Sequence, residues 1–134
     1  ICDGQHVHPA SVRLAFFMFG AERMVLVSDA LRCLGLPDGQ YELGGQDVFL
    51  KGGIARLADG TIAGSASNLY ECMQKAVAFG ISKEEAILSA TANPAKQIGR
   101  ADEIGTIAPG FLADFVVCEE NLDRIAVYMG GEKL

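Results

Sequence analysis

A short apolar run, Met24-Val25-Leu26-Val27, ends in Ser28-Asp29-Ala30, so a carboxylate sits just past a strand-like segment and ahead of a loop rich in Gly and Pro. In parallel α/β folds, active sites gather where strands end. A carboxylate at that edge can take a proton from water and return it to a leaving group. The same residue type also caps turns, and the residues alone leave these two readings even. A second group is His6-Val7-His8. In an extended segment residues i and i+2 face one way, so the pair could present two imidazoles to a metal. A ligand hydrogen bond from one histidine, with the other structural, is an equal alternative. Third, Gly60-Thr61-Ile62-Ala63-Gly64-Ser65 leads into a helix-like stretch with Ser65 placed as its N-cap. Free backbone N–H groups there suit a carbonyl or phosphate oxygen, although glycines also serve plain turns. The segment lacks the Lys-Ser/Thr of a P-loop. Asp114 reads as a turn cap, and Glu119-Glu120 as a solvated strand edge.

These residues need elements to hold them. Residues 1–7 read as the end of a strand that breaks at Asp3-Gly4. Pro9 then opens a helix whose Val12, Ala15, Phe16 and Phe19 follow i, i+3, i+4, i+7 until Gly20 stops it. With the strand at 24–28, the opening is strand–helix–strand, a unit of a parallel α/β fold. From 36 to 62, Gly and Asp-Gly pairs separate short apolar runs, which predicts a meander of hairpins. A helix over 65–79 follows, with Leu69, Cys72, Met73, Ala76 and Val77 on one face and Gly80 after it. Ser82-Lys83-Glu84-Glu85 is a capping box for a helix over about 83–92, and Asn93-Pro94 opens a short one ended by Gly99. Ala113–Val117 predicts a strand, and Arg124–Met129 with Gly130-Gly131 a closing hairpin.

The balance of 11 Lys and Arg against 17 Asp and Glu, a formal charge of −6, excludes nucleic acid as the main partner, since no basic patch faces phosphates. A small anion is still accommodated by one local cation or helix N-terminus. The four cysteines have no metal-site spacing and apolar neighbours, which predicts buried free thiols in a reducing compartment. No membrane-length apolar run and no signal peptide is present, so a cytoplasmic chain with no membrane partner is expected. The chain opens Ile1-Cys2-Asp3-Gly4 without Met and reads as a piece of a longer one.

Several stretches, in order, then carry a resemblance: Asp3-Gly-x-His6-Val-His-Pro9, Val27-Ser-Asp29-Ala, Gly39-x-Tyr-x-Leu-Gly-Gly45, Asp59-Gly-Thr-Ile-Ala-Gly-Ser65, Asn93-Pro-Ala-Lys96 and Gly105-Thr-Ile-x-x-Gly110-x-x-Ala-Asp114. Together they resemble the C-terminal third of the N-acetylglucosamine-6-phosphate deacetylases, metal-dependent members of the amidohydrolase superfamily. The resemblance implies an α/β chain that is the C-terminal part of a (β/α)8 TIM barrel plus part of a small β-sandwich. Residues 1–35 would be the last two barrel β/α units, 36–62 a hairpin excursion, 63–100 barrel-packing helices and 101–134 sandwich strands. It places the catalytic aspartate on Asp29, as general base toward metal-activated water and proton donor to the departing amine. It places substrate contacts on Asp3, Gly4, Gln5 and His6, with His6 toward the sugar phosphate, and on Ile62, Ala63 and Gly64 near the acyl group. His8 receives no role.

The implied cofactor is a divalent metal ion, zinc by family habit. Its Glu and His ligands, like the phosphate-binding Arg, lie on earlier strands outside this chain. Two strands do not close a barrel, so the chain alone is expected to be inactive, to expose apolar surface and to form homo-oligomers. Its partner is a small amino-sugar phosphate. The Gly105–Asp114 stretch is shared widely, so a D-amino-acid deacetylase or a nucleobase deaminase is an alternative, though the D-G-x-H and A-G-S pieces fit these poorly. A non-catalytic α/β module binding a sugar phosphate or a protein is the alternative of another class.

Overall fold

Pro9 does open a helix, α1 (Pro9–Phe19), in a computed structural model that describes residues 1–134. Pro9 stands at its start, where a missing N–H costs nothing. The His8 side chain accepts the Ala10 N–H at 3.2 Å, so the residue considered for metal binding serves as the helix cap. Val12 and Phe16 enter the main core with Leu26, Cys72, Met73 and Ile81. Leu14, Phe17 and Met18, on the other side, are exposed, and so is Phe19, which was expected on the buried face.

The two strands expected at 1–7 and 24–28 do not join any sheet. Residues 1–7 bend around the Asp3 side chain. Residues 24–28 run without regular structure, and Leu26 donates its N–H to the Ser89 carbonyl, at 2.8 Å, on a helix instead of a strand. A strand needs a neighbouring ladder for its backbone groups. Here the only parallel pairing is one bridge between Ala30 and Ser65. Both sheets of this α/β chain are small and antiparallel.

The meander forms as β1 (Gly39–Leu43), β2 (Gln46–Lys51), β3 (Ile54–Leu57) and β4 (Ile62–Ser65), in spatial order of sequence. Gly44-Gly45 and Gly52-Gly53 take positive φ at both positions, as two-residue hairpin turns demand. Val48, Leu50 and Ala55 pack with Cys33 as a second, smaller core. Ser65 ends β4, so the following helix, α2 (Leu69–Ala78), starts later than expected and is capped by Asn68 and Glu71. The reason is local: the Ser65 N–H and C=O are both taken by residues 29 and 31, which keeps its backbone extended. The Ser82–Glu85 capping box opens α3 (Lys83–Ala90). A break at Thr91 separates it from α4 (Ala92–Gln97).

The second sheet is β5 (Phe115–Cys118), β6 (Arg124–Met129) and β7 (Glu132–Lys133). Phe115 and Tyr128 stack across it at 4.6 Å, and Asp114 accepts the Gly130 N–H at 2.7 Å. The cysteines are free thiols; Cys2, Cys33 and Cys72 are buried, whereas Cys118 is half-buried. No helix is long and apolar enough to cross a membrane.

Candidate active site

Asp3 is 5% exposed, and its carboxylate points into the chain. One oxygen accepts the backbone N–H groups of Gln5 at 2.9 Å and His6 at 3.1 Å. The other meets His6 Nδ1 at 2.8 Å. Burial pushes the Asp3 carboxyl up, but the bonds from Gln5, the His6 backbone, the His6 ring and the Ser65 hydroxyl outweigh it and bring it down to about 2. Asp3 is thus an anion that holds the turn and the His6 ring. The His6 ring keeps Nε2 without a hydrogen-bond partner, on a side chain 22% exposed. Gly4 and Gln5 form the exposed rim of the same turn.

Asp29 lies beyond the Met24–Val27 segment with φ +52°, a left-handed conformation that few non-glycine residues adopt and Asp tolerates. Its side chain is exposed and accepts no hydrogen bond from the chain. Its backbone, by contrast, is fastened: the Asp29 carbonyl accepts the Ser65 N–H at 3.1 Å, and the Leu31 N–H donates to the Ser65 carbonyl at 2.9 Å. Sparsely populated backbone conformations of this kind cluster at functional sites.

Ser65 joins the two halves. It is 1% exposed, its backbone holds residues 29 and 31, its hydroxyl accepts the Ser67 N–H at 3.0 Å, and the same hydroxyl helps hold the Asp3 carboxyl down. Of the segment before it, Ile62 and Ala63 are half-buried in β4 and Gly64 is buried. A Cβ on Gly64 would stand 2.8 Å from Leu31 Cδ2 and 3.0 Å from Cγ, so glycine lets β4 lie against the Asp29 loop. A second support comes from Asn93, buried at the start of α4. Its Nδ2 donates to the carbonyls of Ala21 at 2.7 Å and Met24 at 2.6 Å, anchoring the segment that leads to Asp29.

Both supports are invisible to a reading that treats Ser65 as a helix cap and Asn93 as a helix start. The signal available was the Ala-Gly-Ser and Asn-Pro-Ala-Lys stretches themselves, each a polar residue amid small ones. Two shallow surface depressions, one lined by Asn68, Tyr70, Glu71, Gln74 and Arg124, the other by Gln46, Asp47, Leu57, Ala58 and Asp59, lie away from these residues.

A catalytic zinc ion takes about three protein donors and keeps a fourth position open. Asp29 offers one carboxylate, and His6 has already given Nδ1 to Asp3. No group of three His, Cys, Asp or Glu is placed to hold a metal, so these residues do not by themselves compose a metal centre.

Comparison with known proteins places the arrangement. A provisionally named N-acetylgalactosamine-6-phosphate deacetylase of Escherichia coli K12 is 35% identical over 133 residues, 98% of this chain and 79% of that protein. The N-acetylglucosamine-6-phosphate deacetylase of Bacillus subtilis is 37% identical over 132 residues, 98% of this chain and 33% of its own. The structure of an alanine variant of the Mycobacterium smegmatis N-acetyl-D-glucosamine-6-phosphate deacetylase, in complex with N-acetyl-D-glucosamine-6-phosphate, superposes with a TM-score of 0.90 at 36% identity, covering 98% of this chain and 36% of that one. The chain therefore spans about a third of the length of two of these relatives. The sequence profile of the amidohydrolase family matches residues 23–133, and the chain belongs to that family.

Proposed function

We propose that these residues form the carboxyl-terminal part of an active site that hydrolyses the N-acetyl group of N-acetylglucosamine 6-phosphate, giving glucosamine 6-phosphate and acetate. The observations that carry this reading are an exposed Asp29 carboxylate on a backbone pinned by Ser65, and the Asp3-held imidazole of His6. The relatives' names support the substrate class.

In this reading Asp29 takes the proton from the water that adds to the acetamide carbonyl. It returns that proton to the nitrogen as the C–N bond breaks, so the amine leaves neutral. His6 Nε2 meets the sugar phosphate, and Ile62, Ala63 and Gly64 flank the acetyl group. Gly4 and Gln5 line the sugar side of the turn. Amidohydrolases generally use a divalent metal ion; this chain's residues do not make up its site, and no step is drawn through it.

The domain reading belongs here too. Residues 1–35 are the last two β/α units of a (β/α)8 barrel, 36–62 a hairpin excursion, 63–100 helices that pack on the barrel and 101–134 sandwich strands. A barrel takes about 250 residues, so the chain alone is inactive and its apolar faces favour homo-oligomers. Two E. coli relatives are named for N-acetylgalactosamine 6-phosphate, which makes the 4-epimer the second reading of the substrate.

The test is an intact mass of the purified material and a deacetylase assay with both sugar phosphates on the same sample. Turnover by a species of 14.2 kDa would refute the half-site reading. Failure of the complete enzyme to deacetylate either sugar would refute the substrate.

A further inference from the structure

We infer that Asp3 is a positioning residue whose work is to fix the tautomer of His6, so that Nε2 is the nitrogen a ligand meets and is bare whenever the ring is neutral. The carboxylate is buried and ionised, and an ionised carboxylate only accepts hydrogen bonds. The 2.8 Å contact to His6 Nδ1 therefore requires the ring proton on Nδ1. Two backbone N–H groups, of Gln5 and His6, bond the other carboxylate oxygen and hold the group in that orientation.

The other histidine supplies an opposite case within the same chain. His8 Nδ1 accepts the Ala10 N–H at 3.2 Å, so that nitrogen is bare and the neutral ring carries its proton on Nε2. The two histidines, two residues apart, are set in opposite tautomers by different local partners.

The consequence for a ligand follows from the tautomer. Neutral His6 offers Nε2 as an acceptor, which suits a hydroxyl. A phosphate oxygen needs Nε2–H, hence the imidazolium, and Asp3 on the far side of the ring is its counter-charge. That last step rests on reading His6 as the phosphate contact; the tautomer does not.

Long-range ¹H–¹⁵N correlation of the imidazoles in the 134-residue chain decides the matter, at a pH well above the ordinary imidazole range of about 6.5. The chain has two histidines, so assignment needs only His8→Gln. The expected result is Nδ1–H for His6 and Nε2–H for His8, with Asp3→Ala turning His6 alone into a mixture. His6 found as Nε2–H in the unaltered chain overturns the inference, whether or not the variant folds. The phosphate contact is tested separately in the complete enzyme: His6→Ala should weaken binding of glucosamine 6-phosphate roughly 10- to 100-fold, and unchanged binding keeps Asp3's role while removing the phosphate contact.

Discussion

Gly64 and Gly39 are both strand glycines of the meander with ordinary φ, and they differ in what a methyl group would meet. At Gly39 an added Cβ finds its closest neighbours at 3.8–3.9 Å, an ordinary contact. At Gly64 it finds Leu31 Cδ2 at 2.8 Å and Cγ at 3.0 Å. Carbon atoms rest at about 3.5–4.0 Å, so Leu31 would have to retreat by roughly 0.7–1 Å. Leu31 packs against the smaller core and its N–H is bonded to Ser65, so the retreat is resisted. Overpacking of this kind costs about 1–3 kcal/mol. Gly39→Ala should instead be neutral or stabilise by about 0.4–1 kcal/mol through the unfolded state.

Urea unfolding of the two variants measures the contrast. Because Leu31 is two residues from Asp29, Gly64→Ala should also displace the carboxylate, and a misplacement of about 1 Å costs roughly 100-fold in rate. In the complete enzyme kcat should fall by roughly 10- to 100-fold, with KM nearly unchanged. Equal stability of the two variants would refute the packing argument. A Gly64→Ala enzyme destabilised yet fully active would break the link between β4 and Asp29.

Asp29→Asn in the complete enzyme should lower kcat by roughly 10²–10⁴-fold with KM nearly unchanged; normal turnover would leave the aspartate as a turn cap. His6→Ala should raise KM for the phosphorylated sugar roughly 10- to 100-fold, the equivalent of one charge-assisted hydrogen bond, and an unchanged KM would take His6 out of the phosphate site. Asn93→Ala leaves the Met24 carbonyl without its donor, while the Ala21 carbonyl keeps the Met24 N–H, at a cost of about 1–3 kcal/mol, to be read by urea unfolding; a loss below 1 kcal/mol would mean that water replaces the amide. Asp3 titrates near 2 in the fold against an ordinary 3.8, so protonation favours the unfolded chain. Its contribution, about 2 kcal/mol, is complete above pH 4 and fades as pH falls toward 2. Asp3→Ala should flatten that part of the stability profile, and an unchanged acid limb would contradict the hydrogen-bond set around the carboxylate.

What was legible in the sequence was local. Pro9 and Gly20 bound α1, the Ser82–Glu85 box opens α3, and the glycine pairs turn the meander, because each of these signals acts within a few residues of itself. The strand-like apolar run at 24–28 was legible as a strand, yet it joins no ladder and buries only Leu26, with Val27 exposed. Whether a run becomes a strand depends on a partner ladder, which periodicity does not report. Ser65 was misread for the same reason: its cap-like position says nothing of bonds to residues 29 and 31, far away in sequence. Asp3 was marked by its motif, yet only the geometry shows that its carboxylate is spent on the turn and on the His6 ring.

The ties that hold the Asp29 backbone and the His6 ring are all internal to this chain: Ser65 to Asp29, Asp3 to His6, Asn93 to the segment before Asp29. None involves the outward apolar side of α1, where Phe17 is 88% exposed beside Leu14 and Met18. A helix apolar on both sides is built to be covered on both, and patches of this kind mark contact surfaces. The two jobs are therefore carried by separate atoms. The polar ties set the local shape around Asp29 and His6, and the apolar face of α1 is left to contact. Under the proposed function, a site completed from other stretches of sequence benefits from that separation, because the Asp29 backbone and the His6 ring reach their geometry within this chain whatever covers α1.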